Sequence, residues 1–266
     1  MIKVTLPIFL LYMLCACSSR QTDLHEWRGP ERSGIYADTG LLTAWPLSGP
    51  EELWTLENLG RGYGSPTFVE DRFYITGEVD SLARLYCFNL EGEKIWQIDL
   101  GKEWVTSFPG SRSAPTVVDQ LLYIGTGMGN LYCVNREDGS MVWSCDFAED
   151  FQGQYPLHGH SEAAVVKENK VFWTPGGTEH NVVALDRFTG ELLWSHPGFG
   201  EYSGYNPGKL VNHHGRDIFV TFSAYHLLGF DADTGELLWS QEQFGVSPEK
   251  RSLGYGDTHA LSLIHI

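Results

Sequence analysis

Histidine and cysteine are the side chains of this 266-residue chain that could support metal or redox chemistry. His158-Gly159-His160 stands directly ahead of Ser161-Glu162, and His259 lies in a similar setting further on. Imidazoles two apart along extended backbone point to the same side, and imidazole nitrogen is a common ligand of transition metals. His158, His160 and His259 are therefore the candidate metal ligands, with an anionic ligand as another occupant and plain solvation as the simplest account. His180 and the pair His213-His214 share no spacing with them. A second set, Tyr63, Phe108, Tyr155, Tyr205 and Tyr255, places an aromatic ring shortly before each of several strand-like runs. Rings gathered in this way suit stacking on a peptide or a carbohydrate, and they equally suit plugging a channel. The cysteines carry less. Cys87 and Cys133 occupy one slot of successive repeats, which Ala184 and Gly229 fill later, so the slot demands small volume rather than sulfur chemistry. Cys145 has no repeated counterpart, and no CxxC spacing points to zinc or thiol exchange.

The elements that position these residues are set by an internal repeat. Leu85-Tyr86-Cys87-Phe88-Asn89 leads to Gly92 and Trp96, and Leu131-Tyr132-Cys133-Val134-Asn135 to Gly139 and Trp143. Val182-Val183-Ala184-Leu185-Asp186 leads to Gly190 and Trp194, and Leu227-Leu228-Gly229-Phe230-Asp231 to Gly235 and Trp239. The tryptophans are spaced by 47, 51 and 45 residues, and Trp54 lies 42 before Trp96. A period of this length with several short apolar runs per unit predicts four-stranded antiparallel blades of an all-β propeller. The expected units are 55–101, 102–148, 149–199 and 200–245, with a fifth beginning near Gly254. Asn or Asp followed by Gly predicts the tight turn before each final strand. The recurring indole is expected to pack between blades, where it buries roughly 150–250 Å².

The net charge is −16 and no cluster of Lys or Arg offers a phosphate-backbone footprint, which excludes nucleic acid as an expected partner. Val4–Ala16 is apolar but, at about 1.5 Å per residue, too short for a hydrocarbon core of roughly 30 Å. It reads as a signal-peptide core. Leu14-Cys15-Ala16-Cys17 resembles the bacterial lipobox, which implies cleavage and acylation at Cys17. Residues 1–17 are thus the expected signal, 18–26 a polar tether and 27–260 the propeller. Ser18 after the cysteine resembles the outer-membrane sorting pattern, so a lipid-anchored envelope protein facing the periplasm is expected.

The Gly-Glu-Leu-Leu-Trp repeats, the Asp-x-x-Thr-Gly turns and Glu26-Trp27-Arg28-Gly29-Pro30 resemble the PQQ-like (quinoprotein alcohol dehydrogenase-like) β-propeller repeat family. That family contains dehydrogenases and non-enzymatic envelope scaffolds. The resemblance implies an eight-bladed ring, of which four to five blades stand here. A native chain about 150 residues longer, with residues 261–266 a non-native tail, is the corresponding expectation. It also implies that the strand of Trp54 completes the last blade. Enzymes of the family use PQQ with Ca²⁺, a vicinal cysteine pair, a tryptophan beneath the cofactor and an aspartate base. The chain beyond the signal has no vicinal cysteines, and no carboxylate is assigned to those roles. A scaffold binding an envelope protein or small ligand at one face is the leading expectation. A PQQ-dependent dehydrogenase and a metal- or sugar-binding propeller are the alternatives.

Overall fold

The structure, a computed structural model, describes residues 23–243 and 247–251. In chain order its strands are β1 (Leu24–His25), then β2 (Thr67–Val69), β3 (Arg72–Val79), β4 (Leu82–Asn89) and β5 (Lys94–Lys102). The second set is β6 (Thr116–Val118), β7 (Leu121–Gly125), β8 (Leu131–Asn135) and β9 (Met141–Cys145), followed by helix α1 (Phe147–Phe151). β10 (Val165–Lys167), β11 (Lys170–Trp173), β12 (Val182–Asp186) and β13 (Leu192–His196) form the third. β14 (Lys209–His213), β15 (Arg216–Phe222), β16 (His226–Asp231) and β17 (Leu237–Glu242) form the fourth. Each set is an antiparallel meander, and the blades follow the four units read from the tryptophan period, the first overrunning its unit by the single residue Lys102.

The turn chemistry explains the meanders. Asp186 Oδ1 accepts the N–H groups of Phe188 and Thr189 at 2.9 and 3.0 Å, and Asp231 Oδ1 those of Asp233 and Thr234 at 3.0 and 2.9 Å. Each turn then closes on a glycine with positive φ, for example Gly190 at 76°.

The small slot now has a geometric reason. Cys87, Cys133, Ala184 and Gly229 are the cross-strand partners of Trp96, Trp143, Trp194 and Trp239, with a register shift immediately after each. The indole lies over its partner, and a Cβ added at Gly229 would collide with the ring of Trp239.

The same indoles join successive blades. Trp143 Nε1 donates to the carbonyl of Arg187 at 2.9 Å, and Trp194 Nε1 to that of Ala232 at 3.1 Å. Trp96 Nε1 donates to the carbonyl of Arg136 at 3.2 Å. In every case the acceptor sits in the β-turn of the next blade. Buried apolar clusters fill the gaps between blades: Leu85, Val117 and Leu122 in the first, Cys133, Ala164 and Val183 in the second, Phe172, Leu228 and Phe230 in the third.

Two features stand at the N-terminal side of the blades. Trp54 lies in no strand, yet it docks like its repeats: its ring stacks on Phe73 at 5.8 Å and 9°, and Nε1 donates to the Leu90 carbonyl at 3.0 Å. The segment through Glu26 is not a tether in its last residues. Leu24 and His25 pair with Val118 and Val117, adding β1 as a fifth strand on the inner edge of the second blade. The inner edge of β6 offers unpaired backbone groups, and the chain satisfies them with its own leading residues.

Candidate functional site

β1 continues into a clip that crosses the channel. Arg28, Gly29, Glu31, Arg32 and Gly34 all have positive φ, between 53° and 71°. Three of these are non-glycine residues in a sparsely populated region, and Arg32 among them is held by its own side-chain bonds. Arg32 is 6% exposed. Its Nε donates to Glu26 at 2.6 Å, its Nη1 to the carbonyls of Ala163 and Gly208 at 3.2 and 3.3 Å, and its Nη2 to that of Ala164 at 2.5 Å. One side chain thereby ties the clip to the segments leading into β10 and β14.

At one end of the channel lies a pocket of about 450 Å³. Its construction follows the repeat. Tyr63, Arg112, Ser161 and Tyr205 each stand four residues before the inner strand of their blade, and Ser65, Ala114, Ala163 and Pro207 two before. Alternate residues of four extended leading segments thus face one cavity. Trp27 of the clip, Phe108, His158 and Asn206 complete the lining. Trp27 also lines a second cavity, beside Pro66, Thr67 and Phe68, so it stands between the two.

Hydrogen bonds hold the lining in place. Arg112 Nη2 donates to the carbonyls of Ser107, at 2.8 Å, and Phe108, and Nη1 to that of His158. His158 shares a hydrogen bond from Nδ1 to Ser107 Oγ at 3.1 Å, and its N–H donates to the Tyr205 hydroxyl at 3.2 Å. Ser161 Oγ donates to the Tyr205 carbonyl at 2.8 Å. Burial pulls the Arg112 guanidinium below its ordinary pKa, partly offset by the charge of Glu103.

Of the sequence-level candidates, Tyr63, Phe108, Tyr205 and His158 are brought together here. Tyr155 is not: it packs on Phe147 and Trp104, at 4.9 and 5.8 Å between ring centroids. The pairing of His158 with His160 fails for a local reason. Gly159 has φ 75°, so the backbone between them turns and alternation is lost. His160 is driven under the loop against Phe147, edge-on at 4.3 Å, with neither ring nitrogen hydrogen-bonded within the protein. Burial lowers its pKa to about 3, which keeps it neutral. Among the described residues no group of three or more His, Cys, Asp or Glu is placed to hold a metal ion. His259, Tyr255 and Cys17 lie outside the described residues. Arg112, Trp27 and Arg32 were not singled out from sequence. The signal for Arg112 was its place in the repeat register, the slot that holds tyrosine in the first and fourth blades.

The lining does not fit PQQ with Ca²⁺. A hard divalent ion needs several carboxylate or amide oxygens, and the lining holds no Asp or Glu and a single amide side chain, Asn206. Cys87, Cys133 and Cys145 are separately buried free thiols.

Four-stranded blades around a channel, joined by one tryptophan each, define a β-propeller of the PQQ-like repeat type. A family model described as outer membrane protein assembly factor BamB matches residues 31–154 and 82–251, and the chain belongs to that family. It is also similar to the quinoprotein alcohol dehydrogenase PedH of Pseudomonas putida, 27% identical over 161 residues, which cover 57% of this chain and 26% of that protein. The chain therefore spans about a quarter of the length of this curated relative. Among solved structures, a quinohemoprotein alcohol dehydrogenase from Comamonas testosteroni aligns with TM-score 0.54 and 18% identity, over 69% of this chain and 35% of that one. A europium-containing methanol dehydrogenase aligns with TM-score 0.50 and 16% identity, over 67% and 41%. At such identities these structures speak to the fold alone. No helix of the described residues is long and apolar enough to cross a membrane.

Proposed function

We propose that this chain is a binding propeller of the bacterial envelope, anchored through an acylated Cys17 and presenting the channel mouth to a protein partner or small ligand. The observation that carries the reading is the mouth pocket itself. It is walled by aromatic rings from three blades and the clip, and its polar groups are held in place by bonds within the protein. The family's description as an assembly factor agrees with a scaffold role in the outer membrane. The test is site-specific photo-crosslinking in cells, with the photoreactive residue at position 108 and, as a control, at Leu193 on an outer strand. A discrete adduct from the mouth and none from the control supports the reading, and no adduct from either position defeats it.

The second reading is a periplasmic PQQ-dependent dehydrogenase, favoured by the similarity to PedH. Supplying PQQ and Ca²⁺ to the purified protein and following alcohol-dependent dye reduction tests it. Turnover would move the assignment from scaffold to enzyme.

A further inference from the structure

The mouth pocket holds one residue whose strained backbone leaves its side chain in solvent. Phe108 has φ 46°, an outlier for a bulky side chain, yet its ring is 64% exposed. Its ring contact among the described residues is edge-on to His158 at 5.1 Å, so the strain does not deliver it into the core. Arg112 maintains the arrangement, binding the carbonyls of Ser107 and Phe108 on one side and of His158 on the other. Strain upheld by such a clamp, with an apolar ring presented to solvent, marks a position that meets a ligand. Tyr63 is similarly 65% exposed, with its backbone N–H fixed to the Ser111 carbonyl at 2.7 Å.

The chemistry of the occupant follows from what the lining offers. Arg112, His158, Ser161 and Tyr205 already spend hydrogen bonds within the protein, so the aromatic rings are the larger part of what the lining offers an occupant. The lining has no carboxylate to receive a cation. Its one fixed charge is Arg112, in a chain of net charge −16, which favours a neutral segment or one carrying an acid. The volume, about 450 Å³, is near the small end of ligand pockets, about 300–1,000 Å³. Resting on the binding reading above, we propose that the pocket receives one aromatic side chain from an extended segment of a protein partner, between the exposed rings of Phe108 and Tyr63 and the ring of Trp27.

Isothermal titration of the full chain with N-acetyl-tryptophanamide, the peptide acetyl-Gly-Ser-Trp-Ser-Gly-amide, free indole and N-acetyl-leucinamide tests this. Both tryptophan compounds are expected to saturate, the peptide more tightly than indole, and the leucine compound to bind at least about tenfold more weakly, the worth of one aromatic pair. Phe108→Gly separates structure from binding. Glycine adopts φ 46° without strain, so this variant should melt no lower than the parent while its peptide affinity falls about tenfold. Leu193→Ser, on an outer strand, should bind as the parent does. Unchanged peptide affinity in Phe108→Gly, or no saturation by either tryptophan compound, overturns the proposal. Indole binding as tightly as the peptide overturns the protein-segment part and leaves a small free aromatic as the ligand. Should crosslinks at position 108 form in cells while no tryptophan compound binds, this inference fails and the scaffold reading survives.

Discussion

Replacing Trp143 with alanine should be far more damaging than the same change at Trp239, although both hold the same position in the repeat. Trp143 is 8% exposed, clamped between the second and third blades, with Nε1 bonded to the Arg187 carbonyl at 2.9 Å. Burying an indole removes roughly 150–250 Å² from water, about 4–6 kcal/mol at 25 cal/mol/Å² as an upper figure. Measured tryptophan-to-alanine losses in cores run at about 3–5 kcal/mol. The lost hydrogen bond adds little, because the Arg187 carbonyl keeps the Tyr123 hydroxyl at 3.0 Å. Trp239 is half-buried beside Val220 and Phe222, with no further blade packed on it among the described residues, and its loss should cost about 1–2 kcal/mol. Guanidinium unfolding followed by circular dichroism measures both. For a domain of this size the Trp143 variant should also melt about 10 °C lower. A loss below about 1 kcal/mol at Trp143 would refute the argument that indoles at blade junctions hold the propeller together.

Arg32→Met leaves the buried Glu26 carboxylate unpaired and removes the bonds to the Ala163, Ala164 and Gly208 carbonyls, so urea unfolding should show a loss of about 3–5 kcal/mol, with faster amide exchange in β6 and β10. Glu162 is buried, which raises its pKa to about 7 against the opposing bonds from Thr174. It therefore stays protonated in the native state where the unfolded chain has ionised. Its contribution is most favourable below about pH 4.5 and is lost as the pH rises to 7 and beyond, and Glu162→Gln should flatten the urea midpoint between pH 5 and 8. Burial pushes the thiols of Cys87, Cys133 and Cys145 up to about 11, 12 and 12, so mass mapping after reaction with an aromatic disulfide at pH 8 should find these three unlabelled in the native protein and labelled in guanidinium.

What the sequence revealed of the fold was carried by residues that recur. The tryptophan period located the blades, and the Asp-x-x-Thr-Gly turns located the final hairpins, because each blade must solve the same packing problem with the same atoms. The small slot was legible as a volume constraint, though its cause, the indole lying across the strand at Cys87, Cys133, Ala184 and Gly229, needed the pairing register. The clip was not legible. A two-residue strand has no periodicity, and its partners Val117 and Val118 are far away in sequence. The histidine pair misled because alternation assumes extended backbone, and Gly159 supplies a turn. The aromatic set was read correctly where the ring belongs to a leading segment and missed where, as at Tyr155, the ring finds a nearer pocket against Phe147.

Repeat proteins divide their residues between those that recur for packing and those that differ at equivalent places. The slot four residues before each inner strand is geometrically fixed by the blade, since the strand behind it is paired and the fold sets where it points. It holds tyrosine twice, as Tyr63 and Tyr205, and otherwise Arg112 and Ser161, three residue types at one position. Packing fixes the recurring tryptophan and limits the position beneath it to small side chains, and neither constraint accounts for tyrosine, arginine and serine at one place. On the binding reading proposed above, this slot is where recognition is written, and Arg112, its only charge, ties the carbonyls of Phe108 and His158 together.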